Sequence, residues 1–248
     1  MNSSLAFISG ATSGLGKELA YRLAKKKIPL FLTARKEEEL LLLQEELSSF
    51  TQVQICPADL TVPLEIENLL EQISLYTPDL VFHAAGLGLY GNCLAFPLNK
   101  QRAMIQVNID AAFQITYTAA KALRKIGKKG TIIQIGSMAA HFIYPRFALY
   151  AASKRCIEDL CLSLDEELKC FGIRVLVAVP GRFVSPFMEK SHRVISENSW
   201  SMIPLEKVAT LILRQAEKQK KRMVIDFRYK LLYALSLLIP KTVLSKYL

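Results

Sequence analysis

Tyr150 and Lys154 stand four residues apart in Tyr150-Ala151-Ala152-Ser153-Lys154. On a helix that spacing puts both side chains on one face. A free phenol titrates near pH ~10, too high for easy proton exchange at neutral pH. A neighbouring ammonium favours the phenolate and lowers that value, which makes the pair a tuned general acid/base. Ser137 follows the apolar run Thr131–Ile135 just past Gly136. A hydroxyl there can donate to a carbonyl oxygen as charge builds on it. Asn108 sits between Val107 and Ile109 inside an apolar helical pattern. A buried amide must find partners, and a satisfied core asparagine is its plainer reading. The set points to proton exchange with the oxygen of a carbonyl or an alcohol.

A second group of residues suits a phosphate. Ser9-Gly10-Ala11-Thr12-Ser13-Gly14-Leu15-Gly16 follows the first apolar run and opens the first helical pattern. Glycines at 10, 14 and 16 allow a tight turn and close approach of backbone to a pyrophosphate. The helix N-terminus adds free N–H groups and a partial positive charge. Beyond the second apolar run stand Thr33-Ala34-Arg35-Lys36. A dinucleotide site usually places an acid here for the ribose 2′-hydroxyl. No acid is present, and a guanidinium at Arg35 fits a 2′-phosphate instead. The expected cofactor is therefore NADP rather than NAD.

The elements that must carry these groups alternate along the chain. Strand-like runs are Leu5–Ser9, Pro29–Thr33, Val53–Cys56, Leu80–His83, Thr131–Ile135, Ile173–Val179 and Met223–Ile225. Most are apolar throughout, as strands covered on both faces are. Between them run helical patterns over Leu15–Lys27, Glu37–Ser48, Pro63–Tyr76, Arg102–Ile126, Tyr150–Cys170 and Leu205–Gln219. The alternation predicts a doubly wound α/β domain of about seven parallel strands with helices on both faces. That domain spans 1–226, and a basic and apolar helical extension follows over 227–248.

Composition sets outer bounds. The 248 residues are 51% hydrophobic and 22% charged, which excludes a disordered chain. The formal net charge is +10. After residue 217 there are eight basic residues against Asp226 alone, so +7 of that charge lies in the tail. The five cysteines, Cys56, Cys93, Cys156, Cys161 and Cys170, form no CxxC pair. They read as small buried apolar side chains in a reducing compartment, with no disulfide framework and no metal site. The N-terminus lacks the basic and long apolar stretches of a secretory leader, and the longest apolar run, Leu231 to Ile239, is too short to span a bilayer. A cytoplasmic location is expected.

In this order and spacing the motifs resemble the short-chain dehydrogenase/reductase family, a Rossmann-like fold, over residues 5–226. The matches are residues 9–16, Asp59-Leu60, Ala84-Ala85-Gly86, Asn108, Ser137, Tyr150-x-x-x-Lys154 and Pro180-Gly181. The resemblance implies a catalytic tetrad. Tyr150 would exchange the proton, Lys154 would hold the nicotinamide ribose, Ser137 would orient the carbonyl and Asn108 would hold a relay water. It implies cofactor contacts at Gly10, Thr12, Ser13, Gly14, Leu15, Gly16, Arg35, Asp59, Leu60, Ala85, Gly86, Tyr150 and Lys154. Pro180, Gly181, Phe183 and Ser185 would meet the carboxamide. It also implies a homodimer or homotetramer built on helices Arg102–Ile126 and Tyr150–Cys170. Departures are Ser9 for the usual threonine, His83-Ala84 for a frequent Asn-Asn pair, and Phe183 for a usual Val or Ile. His83 is read as structural, and the strand end it occupies must be tied down by some other contact.

Substrate choice is expected in 182–203. Its apolar members, including Phe183, Phe187, Met188, Trp200 and Met202, suit an apolar carbonyl or alcohol substrate. Arg182, Lys190, His192 and Arg193 keep an acidic substrate open. Residues 218–248 have three readings: contact with an anionic membrane surface, packing over the pocket, or packing against a partner subunit. Nucleic acid is not expected. The function read here is NADPH-driven reduction of a ketone or aldehyde. The alternatives are an NADP-binding sensor or scaffold without turnover, and a membrane-peripheral lipid ketone reductase.

Overall fold

The computed structural model describes residues 4–187 and 202–238. Seven parallel strands form one sheet: β1 Ala6–Ser9, β2 Leu30–Thr33, β3 Val53–Ile55, β4 Leu80–His83, β5 Gly130–Ile135, β6 Ile173–Val179 and β7 Arg222–Val224. Each matches a predicted run to within a residue. Residues of β1 and β2 are buried on both faces, which is why those runs carry no polar alternation. The spatial order is β3-β2-β1-β4-β5-β6-β7. It reverses direction between β1 and β4, and such a switch point leaves a crevice at the carboxyl ends of the strands.

Helices cover both faces. They are α1 Gly14–Lys25, α2 Glu37–Ser48, α3 Pro63–Tyr76, α4 Leu98–Ile105, α5 Ala112–Lys125, α6 Ala148–Leu168, α7 Leu205–Lys218 and α8 Phe227–Leu238. Helix α1 packs beside α7, whereas α3, α5 and α6 pack side by side. Local sequence sets the ends. Three glutamates, Glu37 to Glu39, complement the dipole at the start of α2. Pro63 opens α3, and Thr77 closes it in a left-handed conformation. Inside β5 the buried Gln134 donates to Thr116 Oγ1 at 2.8 Å and to the Ala112 carbonyl at 3.2 Å, fixing α5 on the sheet.

Two sequence expectations need correction. The helix expected over Arg102–Ile126 begins earlier, at Leu98, and is interrupted by a π-helical turn over Gln106–Ala111. Only two cysteines are buried, Cys56 and Cys161; Cys93, Cys156 and Cys170 are exposed. Cys156 lies two residues past Lys154, on the side of α6 that turns to solvent. Among the described residues no helix is long and apolar enough to cross a membrane.

The carboxyl end of α6 is anchored to β6 by Asp165. This carboxylate accepts from Arg174 Nε at 2.8 Å, Arg174 Nη2 at 3.0 Å and the Val175 N–H at 3.0 Å. Asp165 is buried. Removing one partner of such a pair leaves buried donors unmatched. Asp165→Ala should cost about 3 kcal/mol, measured as a lower urea midpoint with an unchanged m-value. A loss within ~0.5 kcal/mol would assign the anchoring elsewhere.

Candidate active site

The first strand ends in Ser9, and Gly10 turns the chain with φ +67°. A side chain at Gly10 would put its Cβ 2.9 Å from the Ala85 nitrogen. The turn after β1 and the loop after β4 therefore meet backbone to backbone at the switch point. Ser13 caps α1 with extended backbone and no side-chain bond to the helix, and the first turn holds no acid. Its N–H groups are left for an anion. Gly16 is not among the residues that line the cavity. A Cβ there would strike the Gly10 carbonyl, so its glycine serves the packing of α1 on the turn.

The end of β4 is tied down through Ser9. Its hydroxyl bonds His83 Nδ1 at 2.9 Å and accepts from the Ala85 N–H at 3.2 Å. Burial drives the His83 pKa down to about 3, with Lys154 adding to the effect. His83 is thus a neutral structural bridge, and the Ser9–His83 pair supplies the contact that the sequence left open.

Asn108 stands behind the crevice rather than on its wall. It is buried in the π-helical turn. Its Oδ1 accepts from the Leu87 N–H at 2.8 Å, while Nδ2 donates to the Leu87 carbonyl at 2.8 Å and to Ser153 Oγ at 3.0 Å. Ser153 in turn donates to the Tyr150 carbonyl at 2.7 Å. Both donors of the amide are committed, and they latch the loop after β4 to α6.

Helix α6 presents Tyr150 and Lys154. Lys154 Nζ lies 5.9 Å from the centre of the Tyr150 ring and donates to the Ile135 carbonyl at 2.8 Å. The ring of Tyr150 stacks on Phe147, with centroids 4.2 Å apart, and meets Phe187 at 5.4 Å. Ser137 follows β5, and its Oγ accepts from the Ala139 N–H at 3.2 Å, leaving the hydroxyl proton free to be given away. The Met138 N–H donates to the Pro180 carbonyl at 3.0 Å, which joins the Ser137 loop to the Pro180-Gly181 loop.

These groups line one cavity of about 550 Å³ at the carboxyl ends of the strands. Arg35, Asp59 and Leu60 border one end; Gly10, Thr12, Ser13, Gly14 and Leu15 border the middle. Ala85, Gly86, Ser137, Tyr150, Lys154, Pro180, Gly181, Phe183 and Ser185 border the other end. Asp59 holds its own loop by accepting from the Thr61 N–H at 2.8 Å and the Thr61 hydroxyl at 2.7 Å. Lys36 is engaged by Glu39 at 2.6 Å, whereas Arg35 is exposed and has no carboxylate partner among the described residues.

A family model for short chain dehydrogenases matches residues 4–194. This chain belongs to that family. Among curated relatives of this short-chain dehydrogenase, sulfoacetaldehyde reductase 2 of Chromohalobacter salexigens is 29% identical over 188 residues, 75% of each chain. Sulfoacetaldehyde reductase of the same organism is 31% identical over 180 residues, 71% of this chain and 70% of that one. The fold is similar to that of a Sphingobium yanoikuyae short-chain dehydrogenase in complex with NADPH, at TM-score 0.83 and 21% identity, covering 94% and 93% of the two chains. It is also similar to a bulky-bulky ketone specific alcohol dehydrogenase from Comamonas testosteroni, at TM-score 0.82 and 20% identity, covering 95% and 92%.

The structure adds wall residues that the sequence did not reveal. Tyr229 and Leu232 of α8 line the cavity, which realises the pocket-packing alternative for the start of the tail. Tyr229 is buried against Gly181, where any Cβ would strike its ring, and its hydroxyl accepts from the Arg182 N–H at 2.9 Å. Behind them, the buried Glu158 of α6 meets Arg222 of β7 at 3.1 Å and lies 3.0 Å from His141 Nε2, the latter off the hydrogen-bond axis. Arg222 also bonds Tyr233 of α8. No run or spacing in the sequence links positions so far apart. Most of the expected substrate segment, including Met188, Lys190, His192, Arg193 and Trp200, lies outside the described residues, as does 239–248 of the tail.

Burial drives the Lys154 pKa from 10.5 down to about 8. Between those values the folded chain holds fewer protons at this position than the unfolded chain, so Lys154 contributes stability that rises with pH across the window. Urea midpoints of wild type relative to Lys154→Met should therefore rise from pH 8 to 10.5. Parallel profiles would show that burial does not hold the ammonium down.

Proposed function

We propose that this short-chain dehydrogenase is an NADPH-dependent reductase of a ketone or aldehyde. The observation that carries the reading is the meeting of Ser137, Tyr150 and Lys154 in the cavity that begins at the glycine turn. The residues present fit a dinucleotide. The helix α1 N-terminus is uncapped by side chain or acid, the turn residues Gly10, Thr12, Ser13 and Gly14 line the cavity beside it, and Arg35 has no carboxylate partner among the described residues at the adenosine end. When bound, the nicotinamide supplies a hydride to the carbonyl carbon.

The chain does the rest. Tyr150 gives its phenolic proton to the substrate oxygen, and Ser137 donates a hydrogen bond to the same oxygen as negative charge develops. Lys154, fixed by the Ile135 carbonyl, holds its ammonium beside the phenol and the ribose position. Asn108 keeps the loop after β4 in register with α6. Phe142, Phe147, Phe187 and Leu232 give the substrate end an apolar lining. Two curated relatives carry the name of an aldehyde reductase, which favours carbonyl reduction. Exposed Phe113 and Tyr117 on α5 suit a homo-oligomer face. A second reading, a membrane-peripheral lipid ketone reductase, is favoured by exposed Phe227, Leu231 and Leu238 along one side of α8.

NADPH oxidation with a panel of ketones and aldehydes tests the reading. Tyr150→Phe should lower kcat by ~100-fold or more, with NADPH affinity retained. A mutant as fast as wild type would refute the mechanism, and tight NADPH binding without turnover by wild type would favour a sensor. Arg35→Asp should raise the Kd for NADPH by about tenfold and that for NADH far less, the size expected for one lost charge-assisted contact. Equal losses would remove the 2′-phosphate assignment.

A further inference from the structure

Among the described residues two cations line the substrate end without a part in the hydride chemistry, Arg182 and Arg228, and Arg228 is held by Asp226 at 2.8 Å. Arg182 directly follows Gly181, is half-buried and lines the cavity. Its Nη2 donates to the Tyr144 hydroxyl at 2.9 Å, and its backbone N–H donates to the Tyr229 hydroxyl at 2.9 Å. Two phenols, from the loop before α6 and from α8, thus fix both ends of the residue. Among the described residues no carboxylate pairs with Arg182, whereas Arg174, Arg222 and Arg228 each have one at 2.8 to 3.1 Å.

With no carboxylate partner among the described residues, the remaining N–H donors of the guanidinium form a fork that matches a carboxylate or another oxyanion. The acids on the cavity wall, Glu39 and Asp59, stand at the adenosine end. The Tyr144 bond ties the guanidinium to the loop between Ser137 and Tyr150.

We propose that Arg182, steadied by Tyr144, is an anion-binding arm, and that the substrate is a carbonyl compound bearing a carboxylate-like group at the end remote from the reacting carbon. This deepens the reductase reading and rests on it for the reacting carbon alone. The apolar walls then take the body of the substrate and Arg182 takes its charged end.

The test titrates the NADPH complex with benzoate and with benzamide, followed by NADPH fluorescence. Beside it, turnover is compared for 4-carboxybenzaldehyde and its methyl ester. Wild type should prefer the acid about tenfold or more in both assays. Arg182→Gln should bring both ratios close to one, Tyr144→Phe should lower them in part, and Arg182→Lys should keep part of the preference. A wild type that does not distinguish benzoate from benzamide overturns the proposal, as does a preference that survives Arg182→Gln. A loss in Arg182→Gln that falls on NADPH affinity instead of on benzoate assigns the guanidinium to the cofactor phosphates, and overturns it as well. Benzoate and benzamide are not reduced, so their ratio is independent of the Tyr150 chemistry. A chain that discriminates them but reduces no aldehyde removes the reductase reading and leaves the anion arm in place.

Discussion

The bond from Lys154 Nζ to the Ile135 carbonyl organises the site. An ammonium enclosed in protein is costly unless it is paired or hydrogen-bonded. Here the partner is the last residue of β5, so the cation can keep its place only while α6 lies tightly on the sheet. That requirement fixes the axial position of α6 and with it the phenol one turn earlier. A Cβ on Gly86 would already touch Lys154 Nζ and Asn108 Oδ1 at 3.5 Å.

Around that bond the neighbouring loops are locked pairwise by polar contacts instead of by apolar packing. Ser9 with His83 holds the end of β4, Asn108 with Leu87 and Ser153 holds the next loop to α6, and the Pro180 carbonyl holds Met138. Each lock uses a short side chain or the backbone itself, with few rotatable bonds to order. The apolar core beneath gives stability, and these locks give the crevice its shape. Catalytic groups need placement to within a fraction of an ångström, and directional bonds supply that where dispersion does not.

The sheet was legible because parallel strands buried on both faces read as unbroken apolar runs, and β1, β2 and β4 stand where those runs are. That the glycine turn, Ser137, Tyr150 and Lys154 share one cavity was legible because the proposed chemistry demands particular residue types at fixed offsets. The π-helical turn was not, and the partner of its Asn108 amide lies in a loop twenty-one residues away. The wall built by Tyr229 was not, since α8 is apolar on nearly every side and gives no sign of which face meets the body. The exposure of Cys93, Cys156 and Cys170 likewise depends on which side of a turn or helix meets solvent, a choice that residue type alone does not make.

Placing Tyr229 against Gly181 also orders events in time. Tyr150, Lys154 and Ser137 all leave the ribosome well before residues 222–232. Gly181 and the aromatic ring that walls it stand 48 residues apart in the chain, so the loop after β6 emerges before its wall. The loop after β6 is therefore walled by a segment made later than the one that carries Ser137, Tyr150 and Lys154.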